Sequence, residues 1–240
     1  MMRKVALSFE RKMSAKVING IVISNMNYSD NSSIVKIISE NRIITFLAQG
    51  TNKPLSKNRT SLFLFTYGEY EIFLARLNNK ISKLKKGNIF KQINFDLFSN
   101  IFKEIEEILY YLKFATNSTK KFFNHFKTFI ENVTKYNYFL AKTFLLFQML
   151  ELFGYKQTTD KCLECYSNKN LKYFAIHKGG FVCWIHSKKN EIKPINELKT
   201  FYYLGFDITI YLQFADPSAN LNIYKEIKQF LNENLISKKI

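Results

Sequence analysis

Cys162-Leu163-Glu164-Cys165, seventeen residues, then Cys183-Trp184-Ile185-His186: this stretch holds all three cysteines of the chain and two of its three histidines. Two pairs of soft ligands, each with two residues between, are what a tetrahedral zinc site needs, because a tight C-x2-C turn lets both sulfurs face one ion. The span Tyr166 to Val182 has room for a short β-hairpin, and Gly179-Gly180 supplies positive-φ positions just before the second pair. The expected centre is a zinc ribbon or knuckle with Cys162, Cys165, Cys183 and His186 as ligands. Three buried cysteines and a surface histidine are the bland alternative, and their concentration within twenty-two residues argues against it. A disulfide is disfavoured by the odd cysteine count and by the lack of an export signal. His177 competes for the fourth position, but only His186 keeps the pair spacing. Four protein ligands leave no open coordination position, so the zinc is expected to be structural.

Moving outward, the composition is that of a chain with a packed core: 47% hydrophobic and 16% aromatic in 240 residues. The 36 basic and 19 acidic residues leave +17, a field that favours polyanions such as nucleic acid or an anionic membrane surface. The excess is uneven, because residues 1–90 carry 15 Lys/Arg against 5 Asp/Glu. The most apolar run, Tyr138 to Phe153, is broken by Lys142, Gln148 and Glu151. It reads as a buried core helix and not as a membrane span. Met1 to Lys12 is basic with no apolar segment after it, so a cytoplasmic location is expected. Met13 stands as a second candidate start.

Taken in order, the N-terminal third reads as strands. Val17–Ser24, Ser33–Ser39 and Arg42–Ala48 are β-branched runs, with a turn-like stretch at Asn25–Asn31 and a hairpin turn at Glu40-Asn41. Thr51–Thr60 is a polar loop. Ser61–Leu77 carries further strand signal, and Ile81–Phe90 is a last, basic strand. Five short strands with hairpin spacing fit a small closed barrel of the OB type. Phe63, Phe65 and Phe73 are read as barrel core before stacking platform. From Asp96 the period becomes helical, with helices around 97–112, 118–133 and 138–153, the last stopped by Gly154. After Pro194 helical spacing returns, 208–212 is ambiguous, and Asp216-Pro217 precedes a final amphipathic helix. The expected class is α+β: an N-terminal OB-fold β-barrel (1–91) followed by a helical domain (92–157 and 191–240) with a zinc-binding module (158–190) inserted in it.

Catalytic motifs are missing. No phosphate-binding P-loop, Gly-x-Gly-x-x-Gly, Gly-x-Ser-x-Gly or His-Glu-x-x-His occurs. Three histidines and few carboxylates leave little material for acid–base or two-metal chemistry. His125, on a Phe-rich helix, is read as structural. The expectation is a binding protein, not an enzyme.

Four local patterns resemble the RecO family of bacterial DNA-repair proteins. Gly20-Ile21-Val22-Ile23 is similar to its opening strand. Glu40-Asn41-Arg42-Ile43-Ile44-Thr45-Phe46-Leu47-Ala48-Gln49-Gly50 resembles its hairpin strand, and Phe65-Thr66-Tyr67-Gly68-Glu69-Tyr70 a later one. The most specific match is Leu150-Glu151-Leu152-Phe153-Gly154-Tyr155 followed by the first cysteine pair and by Gly179-Gly180-Phe181-Val182-Cys183, in family order and spacing. Departures are Asn41 for the usual Gly, a diluted basic run after Gly50, Tyr166 where Gly often follows the first pair, and His186 for a fourth cysteine.

The resemblance implies a recombination mediator of the RecF pathway. Such a protein binds single- and double-stranded DNA, anneals complementary strands and binds the acidic C-terminal tail of single-strand-binding protein. It works with RecR to load RecA on coated strands, which would associate it with the nucleoid. Arg42 falls on a family motif position. Lys36, Lys53, Lys57 and Arg59 join it as DNA-binding candidates from charge and position. The alternatives are an OB/zinc RNA-binding protein linked to translation, a zinc enzyme with Glu164 as its carboxylate, and a globular protein whose charge is genomic drift.

Overall fold

The computed structural model describes residues 15–51, 53, 56, 58–77, 80–93, 99–188 and 192–236. Five strands come first: β1 (Lys16–Ser29), β2 (Ser32–Ile38), β3 (Ile43–Gln49), β4 (Tyr67–Phe73) and β5 (Ser82–Lys91). They close into a barrel in the order β1-β2-β3-β5-β4, with β4 returning to β1. All pairings are antiparallel except the short β3–β5 seam. This is the OB-fold barrel that the hairpin spacing predicts.

Period-two alternation sets the inner face. Val35 and Ile37 of β2, Ile44, Phe46 and Ala48 of β3, and Tyr70 and Ile72 of β4 are buried together. β1 is longer than its β-branched run predicts. It pairs with β4 as far as Ile21 and with β2 from there to Ser29, bending at a register shift between Val22 and Ser24. Asn25–Ser29 is therefore strand and the turn is only Asp30-Asn31, because ladder pairing overrides the weak strand propensity of Asn. The strand signal after Ser61 is also displaced. Thr60–Leu62 forms a 3-10 turn that drops Leu62 into the barrel end. The buried Tyr70 hydroxyl donates to the Ser61 carbonyl at 2.8 Å.

Of the three aromatics, none follows the simple barrel-core expectation. Phe63 is 43% exposed and Phe73 only half-buried. Phe65 is fully buried, but against the helices: its ring meets Phe102, Phe126 and Phe129 at centroid distances of 6.0 to 6.4 Å. It pegs the barrel to the helical core.

The helices are α1 (Ser99–Leu112), α2 (Lys120–Asn132) and α3 (Tyr138–Met149), then, beyond a small sheet, α4 (Ile195–Tyr203), α5 (Ile208–Phe214) and α6 (Pro217–Leu231). Thr119 caps α2 by accepting from the Phe122 N–H, and Asp216 caps α6, with Pro217 in the first turn. α3 is buried all round from Ala141 to Met149 and packs against α1, α2, α5 and α6. Gly154, at φ +88°, ends the short 3-10 extension of α3. No described helix is long and apolar enough to cross a membrane.

Candidate metal centre and nucleic-acid surface

Between Gly154 and α4 lies a three-stranded sheet of β6 (Thr158–Cys162), β7 (Leu171–Ala175) and β8 (Gly180–Cys183), in the order β6-β8-β7. Gly179 (φ +93°) and Gly180 (φ +156°) make the turn into β8, as their pairing predicts. A Cβ on Gly180 would stand 2.4 Å from the Thr158 carbonyl oxygen, so only glycine lets β8 lie this close to β6.

Each ligand pair sits in its own tight turn. The Tyr166 N–H donates to the Cys162 carbonyl at 3.0 Å, and the His186 and Ser187 N–H groups donate to the Cys183 carbonyl at 3.1 and 2.9 Å. The two turns bring Cys162, Cys165, Cys183 and His186 together, with their ligand atoms all within 4.8 Å of one another. Cys165 Sγ is 3.7 Å from Cys183 Sγ, and His186 Nδ1 is 3.3 Å from Cys183 Sγ and 3.7 Å from Cys162 Sγ. Bonds of about 2.3 Å at tetrahedral angles would place two sulfurs about 3.8 Å apart. The donor set and its spacing therefore fit a divalent ion of zinc size. His177 is exposed and outside the cluster.

The electrostatics point the same way. Burial alone would raise the Cys162 thiol. Backbone N–H groups of Cys165, Cys183 and Glu164, with the His186 ring, outweigh it and bring the thiol down to about 6. The His186 imidazole is held above its ordinary range by its bonds to Cys183 and Cys162. The fold thus favours the thiolate at Cys162 and Cys183 before any metal is bound, whereas at Cys165 the Ser167 N–H is outweighed by burial and by the sulfurs of Cys183 and Cys162, which hold the thiol above its ordinary range.

The first pair also carries a cost. Tyr166 has φ +60° and Asn170 φ +53°. A non-glycine residue held in the left-handed region costs about 1–2 kcal/mol. Tyr166 stands where a glycine would be free of that cost.

Four of the five basic candidates distribute along the barrel. Arg42 is exposed at the β2–β3 turn, beside the bond from the Ser39 N–H to the Arg42 carbonyl. Lys36 faces outward from β2 and lines a cleft of about 220 Å³ with Ile43, Leu112 and Lys113. Lys53 and Arg59 are exposed in the β3–β4 connection, and Arg59 borders another cleft of about 220 Å³ with Asn25, Thr51 and Phe63. Lys57 lies outside the described residues. β3, seven residues and about 23 Å long, separates Arg42 from Lys53, so these groups form a stripe and not a cluster. β5 adds Lys83, Lys85, Lys86 and Lys91, with Ile89 and Phe90 exposed among them. All four lysines are exposed along the strand. Lys85 is partly committed by a 2.5 Å ion pair to Glu71.

The chain is similar to known proteins. Residues 13–93 match the family described as Recombination protein O N terminal. DNA repair protein RecO of Mesoplasma florum is 33% identical over 238 residues, spanning 94% of this chain and 84% of that protein. DNA repair protein RecO of Bacillus cereus (strain AH187) and of Bacillus anthracis are each 26% identical over 233 residues, spanning 90% of this chain and 88% of theirs.

Proposed function

The chain belongs to the RecO family of DNA repair proteins, and from that premise we propose that it is a non-catalytic recombination mediator. It binds single- and double-stranded DNA, anneals complementary strands, docks on the C-terminal tail of single-strand-binding protein and, with RecR, helps load RecA on coated strands. It works in the cytoplasm, at the nucleoid. The observation that carries this reading is the Mesoplasma florum relative, whose match spans 94% of this chain.

Residues 1–91 form the nucleic-acid-binding domain, 92–157 with 191–240 the helical domain, and 158–190 the inserted module. The ion is zinc, held by Cys162, Cys165, Cys183 and His186. With four protein ligands its role is to fix the module's shape. Arg42, Lys36, Lys53, Lys57 and Arg59 neutralise backbone phosphates along the barrel. Annealing needs no bond chemistry: reducing phosphate repulsion while leaving base edges free is sufficient.

The test is annealing of complementary strands, bare and coated with the cognate single-strand-binding protein, over a salt series without nucleotide. Acceleration on coated strands is expected. Failure to anneal either substrate, with RecR present, would overturn the reading. Each phosphate contact contributes about −0.7 to −0.9 to the slope of log K against log salt. Arg42→Ala combined with Arg59→Ala should therefore flatten that slope by about one to two units. An unchanged slope would move the DNA surface off the β2–β3 stripe.

A further inference from the structure

The tips of the two metal-binding turns carry a feature that holding an ion does not explain. Tyr166 follows Cys165 and Trp184 follows Cys183, and those two sulfurs are 3.7 Å apart, so both rings stand on the rim of one centre. Trp184 is 66% exposed, Ile185 81% and Tyr166 71%. Large apolar groups gathered in the open mark a binding surface more often than a packing accident. Tyr166 makes the point sharper. It occupies a left-handed conformation that suits glycine, and its exposed ring gains no burial in return.

The rim is also cationic. The Lys172 ammonium lies 3.8 Å from the Trp184 ring centroid, and the Lys161 ammonium 5.4 Å from that of Tyr166. Lys169 is exposed on the loop between β6 and β7. Five lysines stand against Asp160 and Glu164 over residues 158–188. A lysine over each exposed ring suits a ligand that offers flat π-faces and anionic charge together.

We propose that the metal-module rim is a second nucleic-acid site, for single strands. Trp184 and Tyr166 stack unpaired bases, and Lys161, Lys169 and Lys172 neutralise the adjoining phosphates. Stacking of this kind tolerates any sequence, because every base has a π-face, and it is denied to a duplex whose bases are already stacked. The site rests on the reading that the chain binds DNA, and it is separate from the basic stripe on the barrel.

Trp184 is the chain's single tryptophan, so intrinsic emission reports this position without a label. Titration of the zinc-loaded full chain with an oligothymidylate should quench that emission, with the same midpoint as anisotropy of the labelled strand. Trp184→Ala should weaken single-strand binding on the order of tenfold, from a stacking contribution of about 1–3 kcal/mol per base. Trp184→Phe should restore most of it, and duplex affinity should not move. Equal zinc content and Tm in the variants establish that the fold is kept. A wild-type chain that binds strands without any change in emission overturns the proposal. So does a Trp184→Ala chain that binds them with unaltered affinity, and the rings would then be assigned to a protein partner. A wild-type chain that binds no DNA at all overturns this site and the family reading together.

Discussion

Tyr166 is the residue at which local strain and exposure meet. The first metal turn needs a left-handed residue directly after Cys165, and the chain supplies a tyrosine at φ +60°. Glycine there would relieve about 1–2 kcal/mol of backbone strain. Against that stand glycine's extra freedom in the unfolded chain, about 0.5–1 kcal/mol, and the loss of an exposed contact with Lys161. Tyr166→Gly is therefore expected to be neutral or to stabilise the zinc-bound protein by up to about 1 kcal/mol, read as the midpoint of chemical denaturation, while single-strand affinity falls. A clear loss of stability would mean the ring packs in solution and its exposure is misjudged. At this scale the gathering of Cys162, Cys165, Cys183 and His186 was legible in the sequence, because all four fall within one short stretch and their spacing is the spacing of the turns. The departure at Tyr166 was legible as a departure. Its left-handed backbone was not, since a tyrosine, unlike the glycines at 179 and 180, does not mark a left-handed position.

Among the elements, α3 carries one buried charge, Lys142. Lys142 is 1% exposed in its side chain and lies 3.1 Å from both Glu104 and Glu107, on α1. Glu107 also accepts from the Tyr224 hydroxyl at 2.6 Å and pairs with Lys228 at 2.9 Å. Burial opposes the charge on Lys142, but the bond to Glu104 and the field of Glu107 outweigh it and hold the amine above its ordinary range. Burial would raise Glu107, and its bonds to Lys228, Tyr224 and Lys142 reverse that and hold it below the usual carboxylate range. Lys142→Ala leaves a cavity and removes a partner from a carboxylate, and should cost about 2–4 kcal/mol. Lys142→Met refills the volume while Glu107 keeps Lys228 and Tyr224, so about 1 kcal/mol is expected at neutral pH. The sign of the pH dependence follows from Glu107. A carboxylate whose folded pKa is depressed contributes stability above its unfolded value, and that stability is lost as pH falls through the folded one. The gap between wild type and Lys142→Met should thus close below about pH 4. A gap that stays constant from neutral to acid pH would remove the ion pairs from the account. The burial of α3 was legible from an apolar run too short and too interrupted to span a bilayer, and Gln148, one of its interruptions, is satisfied by donating to the Leu204 carbonyl at 2.7 Å. The partners of Lys142 were not legible, because they lie 35 and 38 residues upstream and only tertiary packing selects them. The same limit applies to β1. Its second half is strand because β2 lies beside it, and no local property of Asn25–Ser29 says so.

Across the whole molecule, two apolar cores divide the labour. One fills the barrel: Val22, Val35, Ile37, Ile44, Phe46, Ala48, Leu62, Tyr70 and Ile72. The other runs through the helices and takes in Ile21, Ile38 and Phe65 from the barrel and Phe174, Ile176 and Phe181 from the metal module. The module is fastened by Phe174, which stacks on Phe201 of α4 with centroids 4.1 Å apart and meets Phe147 of α3 at 6.1 Å. Lys193, just before α4, is tied to Glu197 and to Glu226 of α6. Because β7 and β8 present Phe174 and Phe181 to the helices, whatever holds these strands in place also supports α4. The four ligands are the only covalent-strength tie available among the described residues, since the three cysteines are free. Removing the ion should therefore loosen more than the module. Hydrogen exchange with and without a chelator should report lower amide protection in β7, β8 and α4, extending into the C-terminal half of α3, while β2 and β3 keep theirs within the separate barrel core. Loss of protection confined to residues 158–188 would mean that the Phe174 contact transmits nothing, and the module would be an appendage. Loss that also reached β2 and β3 would mean that Phe65 couples the two cores into one cooperative unit, and the ion would then support the barrel through packing alone.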